Sequence, residues 1–192
     1  VRAADGQGQT ALFVAAKCGH TDVVRELLRR GADAMARDER GWTVLSAACF
    51  HGHDEAARAV VEHGERADAF DVNTVDKNNF TPLWCACESE TTPLVAYLLA
   101  HGAAASVNVA GNQGAQPLMK AAYTGHIPIA ELLLAHGANI NATDWCGYSV
   151  LSNAVSRDKA DMTSWLLARG ADVTHTNDER ETPLHRVFAA RV

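Results

Sequence analysis

The sequence predicts an all-α solenoid of helix–turn–helix units with β-hairpin fingers between them. The same residue pattern occurs six times, at intervals of 33, 38, 35, 33 and 33 residues, and each copy has leucine two places after its anchor residue. A glycine lies 21 places after each of the first five anchors. Repetition at such a period is typical of architectures in which each unit stacks on its neighbours. The anchors are Thr10, Thr43, Thr81, Gln116, Ser149 and Thr182.

Each unit is predicted to begin with a short first helix. The anchor is the N-cap, where a hydroxyl can accept a hydrogen bond from a free backbone N–H of the first turn. Proline follows three of the anchors, at the first helical position, which proline tolerates. Nine places after three of the anchors a glycine can end the helix in a left-handed conformation. These glycines are Gly19, Gly52 and Gly125.

A second helix follows in each unit and carries an apolar stripe. In the first unit Val23 and Val24 are followed one turn later by Leu27 and Leu28, which is the spacing of one helix face. Pro93 and the equivalent proline of the fourth unit stand near the start of this helix, and the glycine at +21 ends it. Histidines precede that glycine in three units, where an imidazole can meet the last carbonyls. They are His63, His101 and His136.

The repeat resembles the ankyrin repeat over the whole chain. The segments that carry the resemblance include Thr81-Pro82-Leu83, Thr182-Pro183-Leu184-His185, Gly19-His20, Gly125-His126 and Gly137-Ala138-Asn139-Ile140-Asn141. The resemblance implies antiparallel helix pairs in a curved stack, with fingers on one side. It predicts one domain, 1–192, with about five full repeats and a partial sixth. Their approximate bounds are 5–37, 38–75, 76–110, 111–143, 144–176 and 177–192.

Some positions depart from the family pattern. Glu90 and Asp158 replace the turn glycine in the third and fifth repeats, and aspartate tolerates a left-handed backbone better than glutamate does. Extra residues follow Gly64, so we expect a longer finger with Phe70 either tucked beneath it or available to a partner. Neither chain end resembles a purpose-built polar cap, which favours a portion of a longer polypeptide.

Composition restricts the classes of function. The net charge of −6 argues against a nucleic-acid partner, whose binding proteins normally present a basic surface. The most apolar stretch is interrupted by polar residues, so membrane insertion is not expected. Five cysteines, an odd number without a disulfide-scaffold spacing, favour a reducing, intracellular location. No motif for a cofactor is present, and we expect none to bind.

One segment, "GWTVLSAACFHGHD", has the composition of a reactive centre. Cys49, His51 and His53 could form a metal site or the nucleophile and base of a hydrolase. When the repeats are aligned on their anchors, however, Cys49 shares its position with apolar residues of other repeats, and His53 shares its position with His20 and His126. The register therefore favours a core cysteine and a structural histidine, and we predict a protein that is not an enzyme.

The resemblance places the partner-binding surface on the fingertips and the exposed side of each first helix. Large aromatics and arginine fall on these positions, a composition typical of binding hot spots. The alternative is that the fingertip aromatics only pack on neighbouring fingers. The predicted partner-binding residues are Arg40, Trp42, Phe50, His51, Lys77, Phe80, Glu88, Tyr123, Trp145, Tyr148 and Arg157.

The function expected from this surface is binding of another protein or a peptide segment through the concave face and the hairpin tips. Two alternatives stay open: a recognition domain of a larger enzyme, such as a kinase, acyltransferase or ubiquitin-ligase subunit, and the hydrolase or metal site just described. Asn141 also resembles the hairpin asparagine that is hydroxylated in some animal ankyrin proteins.

Overall fold

The computed structural model describes residues 3–66 and 70–185. It divides into two compact units, Val1–Ser106 and Val107–Val192. The helices of the first unit are α1 (Ala11–Lys17), α2 (Thr21–Arg29), α3 (Val44–Phe50), α4 (Asp54–Gly64), α5 (Pro82–Glu88) and α6 (Thr92–Ala100). Those of the second unit are α7 (Pro117–Thr124), α8 (Ile127–Ala135), α9 (Val150–Ser156) and α10 (Ala160–Ala168). Short 3₁₀ turns occupy Ala103–Ser106 and Asn112–Gly114.

These helices occur in the predicted pairs, one pair for each of five repeats. The first helix predicted for the sixth repeat falls mostly on 186–192, outside the described residues. Within the described part of the chain, none of the helices combines the length and apolar character that crossing a bilayer requires. The single domain over 1–192 stays a prediction.

The anchor residues cap the first helices as predicted, with one exception. Four anchor hydroxyls accept a hydrogen bond from the backbone N–H three residues later, at 3.0–3.2 Å; they belong to Thr10, Thr43, Thr81 and Ser149. Gln116 has the same extended backbone, with φ −93° and ψ 158°. Among the first helices of the five described repeats, only the one that follows Gln116 begins without a side-chain cap.

The turn after each first helix is left-handed in all five repeats. Gly19, Gly52 and Gly125 have φ of 72°, 70° and 85°. Glu90 and Asp158, which replace glycine, take the same conformation with φ of 58° and 54°. A left-handed backbone costs a residue with a side chain about 1–2 kcal/mol. Packing of the helix pair therefore determines this turn even where the local sequence opposes it.

Small residues allow the first helices to approach one another closely. In the first unit α1 packs on α3, and α3 packs on α5; in the second unit α7 packs on α9. The alanine pairs of these helices, such as Ala47 and Ala48, are fully buried. Each first helix also packs on its own second helix, which contributes its apolar stripe to the core. Stripe residues such as Leu28, Leu98 and Leu133 are buried.

The predicted hairpin fingers are tight turns, three of which are closed by an isolated β-bridge, and the described residues contain no extended strands. One such bridge joins Arg37 to Thr43. In this finger the Oδ1 atom of Asp38 accepts hydrogen bonds from the backbone N–H groups of Arg40 and Trp42, both at 2.9 Å. The fourth repeat has Gly111 at this position and therefore no such side chain. Equivalent acceptors close four other fingers; they are Asp5, Asp76, Asp144 and Asn177.

Successive fingers within a unit are joined by one backbone hydrogen bond each. Glu39 N–H donates to the carbonyl of Gln7 at 3.0 Å, and Lys77 N–H donates to that of Arg40 at 3.1 Å. In the second unit Trp145 N–H donates to the carbonyl of Gln113 at 3.0 Å. These bonds fix the spacing of the fingertips, so side chains on adjacent fingers are held at constant separation.

Phe70, which follows the insertion after Gly64, packs against helix α4. A Cβ atom placed on Gly64 would lie 2.3 Å from the ring of Phe70, so the ring covers the glycine face directly. Of the two alternatives for Phe70, the structure supports the tucked position.

Candidate functional site

A groove lies on the finger side of the first unit, between the first helices of repeats one and two. Its volume is about 330 Å³, and it opens to solvent. We call it the Trp42 groove. Its lining residues are Gln9, Phe13, Lys17, Asp38, Arg40, Trp42, Phe50 and His51.

Aromatic rings form one wall and the base of the Trp42 groove. The ring centroids of Trp42 and Phe50 are 4.9 Å apart, and the planes are tilted by 60°. The imidazole of His51 lies edge-on to Phe50 at 5.4 Å. Phe13 is 2% exposed and belongs to the core, so the base of the groove is rigid. Tilted and edge-on rings are favourable arrangements, and they leave ring faces available for a bound apolar group.

Trp42 is held in place by a long-range hydrogen bond. Its indole N–H donates to Oδ2 of Asp76, in the next finger, at 2.8 Å. Asp76 is 7% exposed, and its other carboxylate oxygen accepts the backbone N–H groups of Asn78 and Phe80, each at 2.8 Å. The bond fixes the indole orientation and links two fingers. The packing role considered for fingertip aromatics therefore applies to Trp42 in part.

Positive groups surround the mouth of the groove. Lys17 is half-buried at the end of α1, whereas Arg40 is exposed on the finger. His51 is exposed at the end of α3. Burial lowers the pKa of His51 below its ordinary value, and the nearby His53 and Lys17 lower it further. His51 is consequently neutral near pH 7 and contributes an aromatic face rather than a charge.

The predicted residues of the third repeat lie in the same unit but outside the lining of the groove. The ring of Phe80 stacks on Trp84 at 4.0 Å, so it packs within its own repeat. Lys77 is exposed at the fingertip next to Arg40, and Glu88 is half-buried on α5. Lys77 thus extends the exposed surface, and Phe80 has a packing partner.

The predicted residues of the second unit form a separate group. The guanidinium of Arg157 lies 4.4 Å from the centroid of the Tyr123 ring, and the ammonium of Lys120 lies 5.0 Å from it. Such cation–π contacts hold all three side chains in place. Trp145 is 70% exposed, an unusual value for tryptophan, whereas Tyr148 is half-buried.

The segment "GWTVLSAACFHGHD", which resembled a reactive centre, contains both buried and exposed side chains in the folded protein. Cys49 is completely buried, and that burial raises the pKa of its thiol well above the ordinary value. The other two buried cysteines are Cys85 and Cys87, and burial raises the pKa of both thiols. The two exposed cysteines are Cys18 and Cys146. The register prediction of a core cysteine at position 49 is confirmed.

The histidines of this segment differ from Cys49 in burial, since His51 is exposed and His53 is half-buried. The rings of His51 and His53 are 6.2 Å apart. Among the described residues, no group of three His, Cys, Asp or Glu side chains could hold a metal ion. A Cβ on Gly19 would lie 2.6 Å from the ring of His53, so this imidazole packs against the turn of the previous repeat. The structural role predicted for His53 is confirmed.

The predicted histidine contacts at the second-helix ends differ between repeats. His136 meets the Leu132 carbonyl at 2.8 Å, as predicted. The prediction is wrong for His101, because its Nδ1 atom meets Glu65 at 2.5 Å and its ring stacks on Tyr97 at 4.1 Å.

Sequence reasoning missed two features of the site. Phe13 was not among the candidates, because its position in the repeat predicts only a core residue. The bond between Trp42 and Asp76 was also missed, since the two residues are separated by 34 positions. The recurrence of aspartate five places before four of the six anchors was the available signal for Asp76, although it does not identify the indole as a partner.

Comparisons with known proteins are consistent with the repeat architecture. A family model for ankyrin repeats in three copies matches residues 1–71 and 65–144, and a second one for many copies matches 133–187. Among solved structures, the chain is similar to the ankyrin repeat domain of Bcl-3, described as a unique member of the IkappaB protein family. The sequence identity is 30% and the TM-score is 0.81, over 98% of this chain and 84% of that chain. No curated protein matches the sequence.

Proposed function

The chain belongs to the ankyrin-repeat family, whose fold is a known protein–protein interaction module, and on that premise we propose that it binds a segment of another protein in the Trp42 groove. The module acts by binding rather than by catalysis, whether alone or as the recognition part of a larger enzyme. The observation that carries the proposal is the pre-positioned aromatic wall of Trp42 and Phe50 over a rigid base.

The geometry supports binding of one large apolar side chain. The indole is fixed by Asp76, and the phenyl ring packs on the indole at 4.9 Å, so neither ring loses much freedom when a partner binds. Removing an apolar side chain from water contributes about 1.5–3 kcal/mol. A central apolar contact of this kind within a polar rim is the usual arrangement of a binding hot spot.

Further contacts are proposed on each unit separately. In the first unit, Lys77 extends the surface next to Arg40, and Phe80 and Glu88 lie on the same repeat as Lys77. In the second unit the proposed contacts are Tyr123, Trp145, Tyr148 and Arg157. The 70% exposure of Trp145 supports its inclusion, because a partner would cover a large apolar surface there.

Selection from a displayed random peptide library tests this function. Peptides enriched on the wild-type protein are synthesised, and their affinities are measured by calorimetry. Phe50→Ala should weaken binding about tenfold to a hundredfold, because 1.5–3 kcal/mol of apolar contact is lost. The matched control is Val23→Ala, which removes an apolar side chain that is 49% exposed on α2, outside the groove.

A second variant separates contact from positioning. Trp42→Phe keeps an aromatic ring but removes the donor to Asp76. It should weaken binding less than Phe50→Ala does and should lower stability. Enriched peptides that bind Phe50→Ala and wild type equally would refute the groove as the binding site.

A further inference from the structure

We propose that the partner segment bound in the Trp42 groove carries a carboxylate next to its apolar anchor residue. The inference rests on the proposed function, because it assumes that the groove is where the partner binds. It adds the charge of the partner, which the aromatic wall alone does not determine.

Two permanent cations, Lys17 and Arg40, line the groove. Lys17 comes from α1 and Arg40 from the second finger, so they approach the groove from different elements. Among the ion pairs of the described residues, none includes Lys17 or Arg40. By contrast, the arginines of α2 pair with Asp22, Glu26 or Glu55.

The carboxylates nearest the aromatic wall are occupied by the fold. Oδ1 of Asp38 accepts the N–H groups of Arg40 and Trp42, which closes the finger. Asp76 accepts two backbone N–H groups on one oxygen and the Trp42 indole on the other. In the part of the chain that the structure describes, neither carboxylate forms an ion pair with Lys17 or Arg40, so the ammonium and the guanidinium remain available to an incoming acceptor.

The lining of the groove has a net positive charge, whereas the whole chain has a net negative charge. The chain has a net charge of −6, yet the only acidic residue of the lining is Asp38 and the cations Lys17 and Arg40 outnumber it. A carboxylate between these cations would accept charge-assisted hydrogen bonds, which are shorter and stronger than neutral ones. A basic segment would meet like charges at the same place. The kind of partner favoured is therefore an acidic segment with one large apolar residue.

The test uses peptides selected on the wild-type protein. Enriched sequences should contain aspartate or glutamate within three residues of a large apolar residue. Replacing that acid by its amide should weaken binding to wild type tenfold or more. The same replacement should change binding less than threefold on the double variant Lys17→Gln, Arg40→Gln, because its cations are absent.

A matched double variant controls for net charge. Arg29→Gln with Arg66→Gln changes the total charge equally but alters exposed side chains outside the groove. On this control the amide replacement should still cost tenfold or more. A library that enriches no peptide, or peptides that do not depend on Phe50, would overturn the proposed function together with this inference. Peptides that depend on Phe50 but show no acid, or no loss with the amide, would overturn only the inference.

Discussion

The uncapped helix of the fourth repeat offers a quantitative test of the local structure. Gln116 has φ −93° and ψ 158°, and Thr81, which caps the equivalent helix of the third repeat, has φ −92° and ψ 161°. Both are followed by Pro-Leu. Since the backbones match, Gln116→Thr should place a hydroxyl where it accepts the N–H of Met119, as the Thr81 hydroxyl accepts the N–H of Trp84 at 3.2 Å.

The expected gain follows from capping energetics. A side-chain cap contributes about 0.5–2 kcal/mol, typically about 1 kcal/mol. For a protein of this size, 1 kcal/mol corresponds to about 2–4 °C in Tm. Gln116→Thr should therefore raise Tm by about that amount, whereas Thr81→Ala should lower it by a similar amount.

The assay combines thermal unfolding with hydrogen exchange. Repeat proteins can unfold in parts, so exchange at the Met119 amide reports the local effect directly. Gln116→Val is the matched control, because valine has the shape of threonine without the hydroxyl. If Gln116→Thr is no more stable than Gln116→Val and its Met119 amide exchanges as fast, the capping argument is wrong.

Three further predictions concern thiols, a fingertip and a histidine. The three buried cysteines should react with N-ethylmaleimide far more slowly than the two exposed ones in the folded protein, and mass spectrometry showing five equal rates would contradict their burial. Gly114→Ala should destabilise the folded protein by more than the roughly 1–2 kcal/mol that a left-handed backbone alone costs. Gly114 has φ 83°, and a Cβ there would also lie 2.7 Å from the backbone nitrogen of Trp145; an unchanged urea midpoint would refute this. By NMR titration the pKa of His51 should lie below its ordinary value, and Lys17→Gln should raise this pKa, since removing a nearby cation favours the imidazolium. An unchanged or lower pKa in Lys17→Gln would show that the lysine does not act on this ring.

Much of the fold is determined by signals that lie within one repeat. The hydroxyl anchors cap their helices and the glycines nine places later take left-handed turns. Most residues of the apolar stripes are buried, whereas Val23 is 49% exposed. Each of these depends on residues a few positions apart, so a single sequence is sufficient to predict them. Register also assigned Cys49 to the core and His53 to a turn, because equivalent positions in a repeat have equivalent environments.

The binding site depends on contacts between repeats, which the sequence by itself did not determine. Lys17, Arg40 and Phe50 lie on three different elements, and only the packing of α1 on α3 brings them to one groove. The orientation of Trp42 depends on Asp76 in the next finger. The period predicts which positions repeat, but the rotamers and partners of side chains depend on the distance between stacked repeats. That distance is set by the packing of buried alanines and by the hydrogen bonds between fingers, and so the tertiary structure alone decided where the groove lies.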